Sequence, residues 1–194
     1  PIWVPQEKLL YWVDIGRHMI FRMDVKTREY ESFKPELPVR GLCRRSPDGW
    51  LMITDTGLAF WEPSSNTCEF IVDPYADQPD HQLNDGAIDR QGRLLVGSYN
   101  SARLEAPGGS LYRLDNNRML HKLDENLVLS NGIGLSPDGK TLYVSEMFAN
   151  KITAYDYETE SGTVSNRRVF VAIPDEAGKP DGLTVDSQGF VWTA

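Results

Sequence analysis

Cysteine is scarce: Cys43 and Cys68 are the two in 194 residues. They lack the C-x-x-C spacing of a zinc site and the density of a disulfide scaffold, and read as reduced, half-buried thiols. Histidine is nearly as sparse, with His18, His81 and His121. His18 and His121 read as surface positions and His81 as a solvated loop residue. No stretch approaches the roughly 18 apolar residues that cross a bilayer, the longest runs being short ones such as Leu9 to Val13. Excess positive charge is missing as well. Twenty Lys+Arg against 28 Asp+Glu give a net charge of −8. Without a basic block this argues against nucleic acid and anionic membrane surfaces as partners. No charged start followed by an apolar segment opens the chain, so the expectation is a cytoplasmic protein. There is no G-x-S-x-G, no Cys beside a suitably placed His, and no Gly-rich phosphate loop opening a helix, which removes support for Ser or Cys nucleophiles and for nucleotide binding.

What is present is an ordinary globular composition, 40% apolar and 25% charged, carrying an internal repeat. S-P-D-G-W-L-M-I-T-D (46–55), D-R-Q-G-R-L-L-V-G-S (89–98), S-P-D-G-K-T-L-Y-V-S-E (136–146) and D-S-Q-G-F-V-W-T (186–193) each join a polar turn ending in Gly to a β-rich run. A degenerate copy, P-Q-E-K-L-L-Y-W-V-D (5–14), places Glu7 where the others have Gly. The phase markers Glu7, Gly49, Gly92, Gly139 and Gly189 are 42, 43, 47 and 50 residues apart. Second hairpins begin at M-I-F-R-M-D, L-A-F-W-E-P and S-L-Y-R-L-D. In the fourth repeat K-I-T-A-Y-D-Y (151–157) alternates, and E-T-E-S-G-T (158–163) turns the chain back into R-R-V-F-V (167–171). Four short strands per repeat predict an all-β fold, a β-propeller, with a generic β-sandwich as the alternative.

In a propeller the first strand of each blade lines the axis, so one register position per repeat faces it at one height. Eight residues before the markers stand Gly41, Asn84, Asn131 and Asp181. Read singly, L-N-D-G, S-N-G and P-D-G are turn tripeptides. Read together, they place amide and carboxylate oxygens at one phase, a donor set that suits Ca²⁺ or, less readily, Mg²⁺ or Mn²⁺.

L-N-D-G-A-I-D-R-Q-G-R-L-L-V-G, G-S-L-Y-R-L-D, S-N-G-I-G-L-S-P-D-G-K-T-L-Y-V-S-E, S-N-R-R-V-F and P-D-G-L-T-V-D-S-Q-G-F-V-W-T-A closely resemble the SMP-30/gluconolactonase/LRE family, most strongly from Leu83 onward. The resemblance implies a six-bladed propeller with one divalent metal at a channel mouth, Ca²⁺ first and Zn²⁺, Mg²⁺ or Mn²⁺ as alternatives, and hydrolysis of a small sugar-acid lactone. It implies Asn131 and Asp181 as metal ligands, Asp181 also as the catalytic proton acceptor, and Asn84 as a substrate- or water-binding amide. The family's third ligand, a Glu, falls two residues before Pro1. Gln82 stands where animal members carry a substrate-binding Arg, and Arg103 lies in the lid region, Tyr99 to Gly109. The rival readings are a non-catalytic calcium-binding propeller and a related esterase, organophosphatase or luciferin-regenerating hydrolase. Residues 1–194 are expected to form a single propeller domain, incomplete at both ends, with repeats near 1–40, 41–83, 84–130, 131–180 and 181–194. They should cover about four blades.

Overall fold

The computed structural model describes residues 1–46 and 49–194. Pro47 and Asp48, in the turn expected of the second repeat, lie outside the described residues. The chain divides into two compact units, 1–76 and 77–194.

The first unit holds two antiparallel meanders. One runs β1 (Ile2–Val4), β2 (Leu9–Asp14), β3 (Met19–Asp24), β4 (Tyr30–Phe33); the other runs β5 (Val39–Ser46), β6 (Gly49–Thr54), β7 (Gly57–Glu62), β8 (Thr67–Val72). Val4, Tyr11, Ile20, Val39, Trp50, Met52, Ala59 and Trp61 are buried between them, and each large apolar side chain removed from water contributes about 1.5–3 kcal/mol. The Tyr11 and Trp50 rings lie 4.3 Å apart. Glu7 departs from the glycine of the other repeats for a visible reason. Its carboxylate accepts from Tyr11 Oη at 2.9 Å and from Arg44 Nη2 at 2.6 Å, while the left-handed turn position passes to Lys8, φ +59°.

The second unit contains β9 (His81–Ile88), β10 (Leu94–Asn100), β11 (Gly109–Leu114) and β12 (Leu120–Leu127) in one meander. A second comprises β13 (Ser130–Leu135), β14 (Thr141–Glu146), β15 (Lys151–Glu158) and β16 (Thr163–Ala172), and the hairpin β17 (Leu183–Val185) and β18 (Val191–Thr193) follows. A four-stranded meander of this kind is the blade of a β-propeller. The turns after the first strands share one chemistry. The Gly92, Gly139 and Gly189 N–H groups donate to Asp89, Ser136 and Asp186 carbonyls, and all three glycines have φ between +74° and +90°, which glycine tolerates without steric cost. Alternating strand residues bury Leu95, Leu111, Leu127, Ile133, Leu142, Val144, Tyr155 and Tyr157 in one cluster.

Two arginines latch neighbouring meanders of this unit. Arg93 pairs with Asp89 at 2.6 Å and donates to the Thr159 and Glu160 carbonyls at 2.6 and 3.0 Å. Arg113 pairs with Asp115 and donates to the Ser161 and Gly162 carbonyls at 2.7 and 2.8 Å. Both guanidinium groups are largely buried, so their fixed partners are a condition of the packing. Cys43 and Cys68 are not engaged in a disulfide. No helix among the described residues is long and apolar enough to cross a membrane.

Candidate functional site

Within residues 77–194, β13 runs beside β9 on one side and β17 on the other. The polar residues predicted at one phase sit at irregularities of these strands. In β9, Val96 pairs with Gly86 and Ser98 with Leu83, so Asn84 and Asp85 together oppose Gly97. In β13, Ser130 pairs with Glu146 and Ile133 with Val144, so Asn131 and Gly132 together oppose Ser145. Two residues facing one is the signature of a β-bulge, which turns side chains out of the pleat. N-D-G and S-N-G are therefore bulges inside strands, and the turn reading of these tripeptides falls away. Asp181 precedes β17 and is held through its backbone: its N–H donates to Ala194 O, and its carbonyl accepts from Gly132 N–H, both at 3.0 Å.

One hydrogen bond joins Asn131 to Asp181, and a second ties Asn84 to the residue before Asn131. Asn84 Nδ2 donates to Ser130 O at 3.0 Å, and Asn131 Nδ2 donates to Asp181 Oδ1. Close backbone approach makes this possible. A Cβ on Gly132 would stand 2.1 Å from Leu183 N, and one on Gly97 would stand 2.0 Å from Ser130 Oγ. Glycine at these two places is a packing requirement.

Gln82 and Arg103 are not bonded into this group. Gln82 Oε1 accepts from Tyr99 Oη at 2.7 Å, which leaves the amide nitrogen as its outward donor. Asn100 Nδ2 and His81 Nε2 approach to 3.4 Å on the same pair of strands. Arg103 is exposed on the loop that leaves β10, where its N–H donates to Asn100 O at 3.2 Å and its carbonyl accepts from Ala106 N–H at 3.1 Å. That loop is tied down by Ser101, which donates to Asp80 O through both its N–H, at 2.6 Å, and its hydroxyl, at 3.0 Å.

Sequence reasoning missed Asp85. Burial pushes its carboxyl above the usual carboxylate range; the Gly86 N–H acts in the opposite direction, and the nearby negative charge of Asp181 adds to the upward push. No Lys, Arg or His side chain among the described residues forms an ion pair with Asp85 or Asp181. The signal was available: Asp85 is the second polar residue of N-D-G, carried into the same bulge as Asn84. Asp85 and Asp181 together with the amides of Asn84 and Asn131 make an oxygen-donor set, the chemistry that fits a hard divalent cation. No cluster of three His, Cys, Asp or Glu side chains is found among the described residues, so amide oxygens have to contribute.

Comparison with known proteins identifies the family and the fold. The profile described as SMP-30/Gluconolactonase/LRE-like region matches residues 1–194. A regucalcin of Xenopus laevis is 32% identical over 200 residues, covering 100% of this chain and 66% of the relative. A pentonolactonase of Haloferax volcanii is 32% identical over 194 residues, covering 100% of this chain and 65% of the relative. The crystal structure of a calcium-binding protein, regucalcin, from Agrobacterium tumefaciens superposes with a TM-score of 0.91 at 22% identity, over 100% of this chain and 65% of that one. The chain thus spans about two thirds of the length of these relatives, and its fold is theirs.

Proposed function

The chain belongs to the SMP-30/gluconolactonase/LRE-like family, and from that premise we propose that it carries part of the site of a metal-dependent hydrolase opening a sugar-acid lactone. The observation that supports this most directly is at the start of β13, where Asn131 is hydrogen-bonded to Asp181 and Asn84 to the adjacent Ser130 carbonyl, three oxygen-bearing residues from successive repeats. The likeness to a protein named pentonolactonase points the same way.

Asn131 and Asp181 would hold the ion, Ca²⁺ in first place, and Asp85, whose charge is felt at Asp181, would add to the negative potential there. A divalent ion so held supplies a Lewis acid for the lactone carbonyl and an acidified water. Asp181 accepts the proton of the attacking water; its exposed position leaves it accessible to that water. Asn84, anchored through Nδ2 to Ser130 O, keeps its amide oxygen and second N–H for the lactone. Gln82 presents an N–H donor to a sugar oxygen, because Tyr99 occupies its carbonyl. Arg103, exposed on its loop, is the candidate donor to a sugar oxygen of the lactone or to the carboxylate that ring opening releases. In the whole protein these residues belong to one six-bladed propeller domain working on a small molecule in the cytoplasm.

The test is acid release from a panel of aldonolactones by the full-length protein, with and without EDTA. Release that EDTA abolishes and Ca²⁺ or Mn²⁺ restores supports the assignment; no release from any lactone refutes it. A second reading, a calcium-binding propeller without turnover, is favoured by the likeness to proteins named regucalcin. It predicts Ca²⁺ binding by calorimetry with no acid release in the same panel.

A further inference from the structure

Glu146 closes β14 and is fully buried, 0% exposed, where an ionised carboxylate is costly unless bonded and paired. Its two oxygens are used unequally. Oε1 accepts from Thr153 Oγ1 at 2.6 Å and faces Lys151 Nζ at 3.2 Å and Arg167 Nη2 at 3.3 Å. Oε2 takes one partner, the backbone N–H of Val128, at 3.0 Å. Arg167 belongs to the S-N-R-R-V-F motif on β16 of the same meander and also pairs with Asp124 of β12 at 3.2 Å, so it ties the Glu146 carboxylate to the neighbouring meander.

The backbone that Glu146 grips is unusual. Leu129 follows Val128 with φ +44°, a left-handed conformation that is a genuine outlier for a bulky side chain. Its carbonyl accepts from Met147 N–H at 3.1 Å. The strained residue is therefore held on one side by the Glu146 carboxylate and on the other by the amide of the next residue along, Met147. Immediately beyond it lie Ser130, whose carbonyl receives the Asn84 amide, and Asn131, whose amide reaches Asp181. One turn aims both.

We infer that Glu146 is a positioning residue: its buried carboxylate clamps the left-handed turn at Leu129 and thereby sets where Asn84 and Asn131 point. The functional weight of the clamp rests on the reading of Asn131 and Asp181 as ion ligands; its geometry does not.

Glu146→Gln keeps the volume and removes the charge. An amide cannot serve both sides, because with its oxygen toward Thr153 and the cations its NH2 meets the Val128 N–H, and reversed it points two donors at Lys151 and Arg167. The experiment follows the Asn84 and Asn131 side-chain amide signals and the exchange of backbone amides 128–131 by NMR in the full-length protein, together with Mn²⁺ affinity, well below the melting temperature. Glu146→Gln is expected to move both side-chain signals, to speed exchange at these amides about tenfold, and to weaken Mn²⁺ binding about tenfold, as loss of a ligand's supporting partner does. Arg168→Gln, which breaks the exposed pair with Asp156, should change neither. A folded Glu146→Gln variant with unmoved Asn84 and Asn131 signals and unchanged exchange overturns the inference. If that variant does not fold, Thr153→Val, which deletes one Oε1 bond, must shift the same signals to a smaller degree; no shift again overturns it. If the wild-type protein binds no Mn²⁺, the ion-site reading fails while the NMR arm still decides the clamp.

Discussion

The side-chain amide of Asn131 donates to the carboxylate of Asp181 across fifty residues of chain. The backbone repeats the link, since the N–H of Gly132 donates to the Asp181 carbonyl at 3.0 Å. Asp181 is thus placed by β13, the first strand of the preceding meander, as much as by its own segment. Whatever disturbs the start of β13 is transmitted to the carboxylate.

Asp181→Asn in the full-length protein should abolish lactone hydrolysis and weaken ion binding, because under the proposed mechanism it removes a charged ligand and the proton acceptor together. Asn84→Ala removes one or two hydrogen bonds and should cost about 1–3 kcal/mol in kcat/KM. Steady-state kinetics and a Mn²⁺ titration check both, and full activity in Asp181→Asn would sink the mechanism.

Gly132→Ala should separate the two strands. The added methyl would stand 2.1 Å from Leu183 N and 2.6 Å from Gly182 C, and backbone cannot yield as a flexible side chain does. A loss of about 1–3 kcal/mol in urea unfolding is expected, with a fall in ion affinity at urea-free conditions. Wild-type affinity in this variant would show that the Asn131–Asp181 contact is dispensable.

Asp85→Asn should raise the melting temperature in EDTA at pH 7. Burial and the charge of Asp181 both disfavour the ionised Asp85, so the isosteric amide relieves repulsion in the ion-free protein. With saturating Ca²⁺ the gain should shrink or reverse, because the carboxylate is then neutralised usefully. Thermal melts in EDTA and in Ca²⁺ measure the two cases, and a lower melting temperature in EDTA refutes the account.

Asp115 ties acid stability to the arginine latches. Its hydrogen bond from Arg113 holds its carboxyl below the usual range. A depressed folded pKa gives stability that is present above the unfolded value, near 3.8, and is lost as pH falls through the folded one. Urea unfolding at pH 7 and pH 3 should show a smaller drop for Asp115→Asn than for wild type; equal drops would place the acid sensitivity elsewhere.

The fold was legible because turn chemistry and strand alternation agree. Gly92, Gly139 and Gly189 take the positive φ that their repeats demand, and K-I-T-A-Y-D-Y forms β15, although Ile152 to Tyr155 are buried in succession and only its end alternates. The fourth hairpin differs in one detail: β16 begins at Thr163 rather than near Arg167, since the turn closes within Thr159 to Gly162. The bulges were not legible, because N-D-G and S-N-G spell turns to any local rule, and only pairing with β10 and β14 shows two residues facing one. Asp85 was overlooked for the same reason. Its burial depends on which way the bulge turns it. The left-handed Leu129 carries no signal at all, since leucine is the wrong residue for that conformation and only Glu146 and Met147 explain it.

The latches have a consequence for how freely this protein can be rewritten. Arg93 and Arg113 grip the β15–β16 connection only through carbonyls of residues 159–162, groups that every amino acid carries. The docking is blind to the side chains at Thr159 and Glu160, so those letters can drift while the meanders stay joined, whereas the Ser161 hydroxyl, 2.8 Å from Thr163 Oγ1, helps to close the turn itself. Gly162 is the exception, with φ +69° and both guanidinium side chains 2.7 Å from where a Cβ would stand. A recognition made of main chain leaves the hairpin open to evolution and to the protein engineer at Thr159 and Glu160, and closed at Gly162.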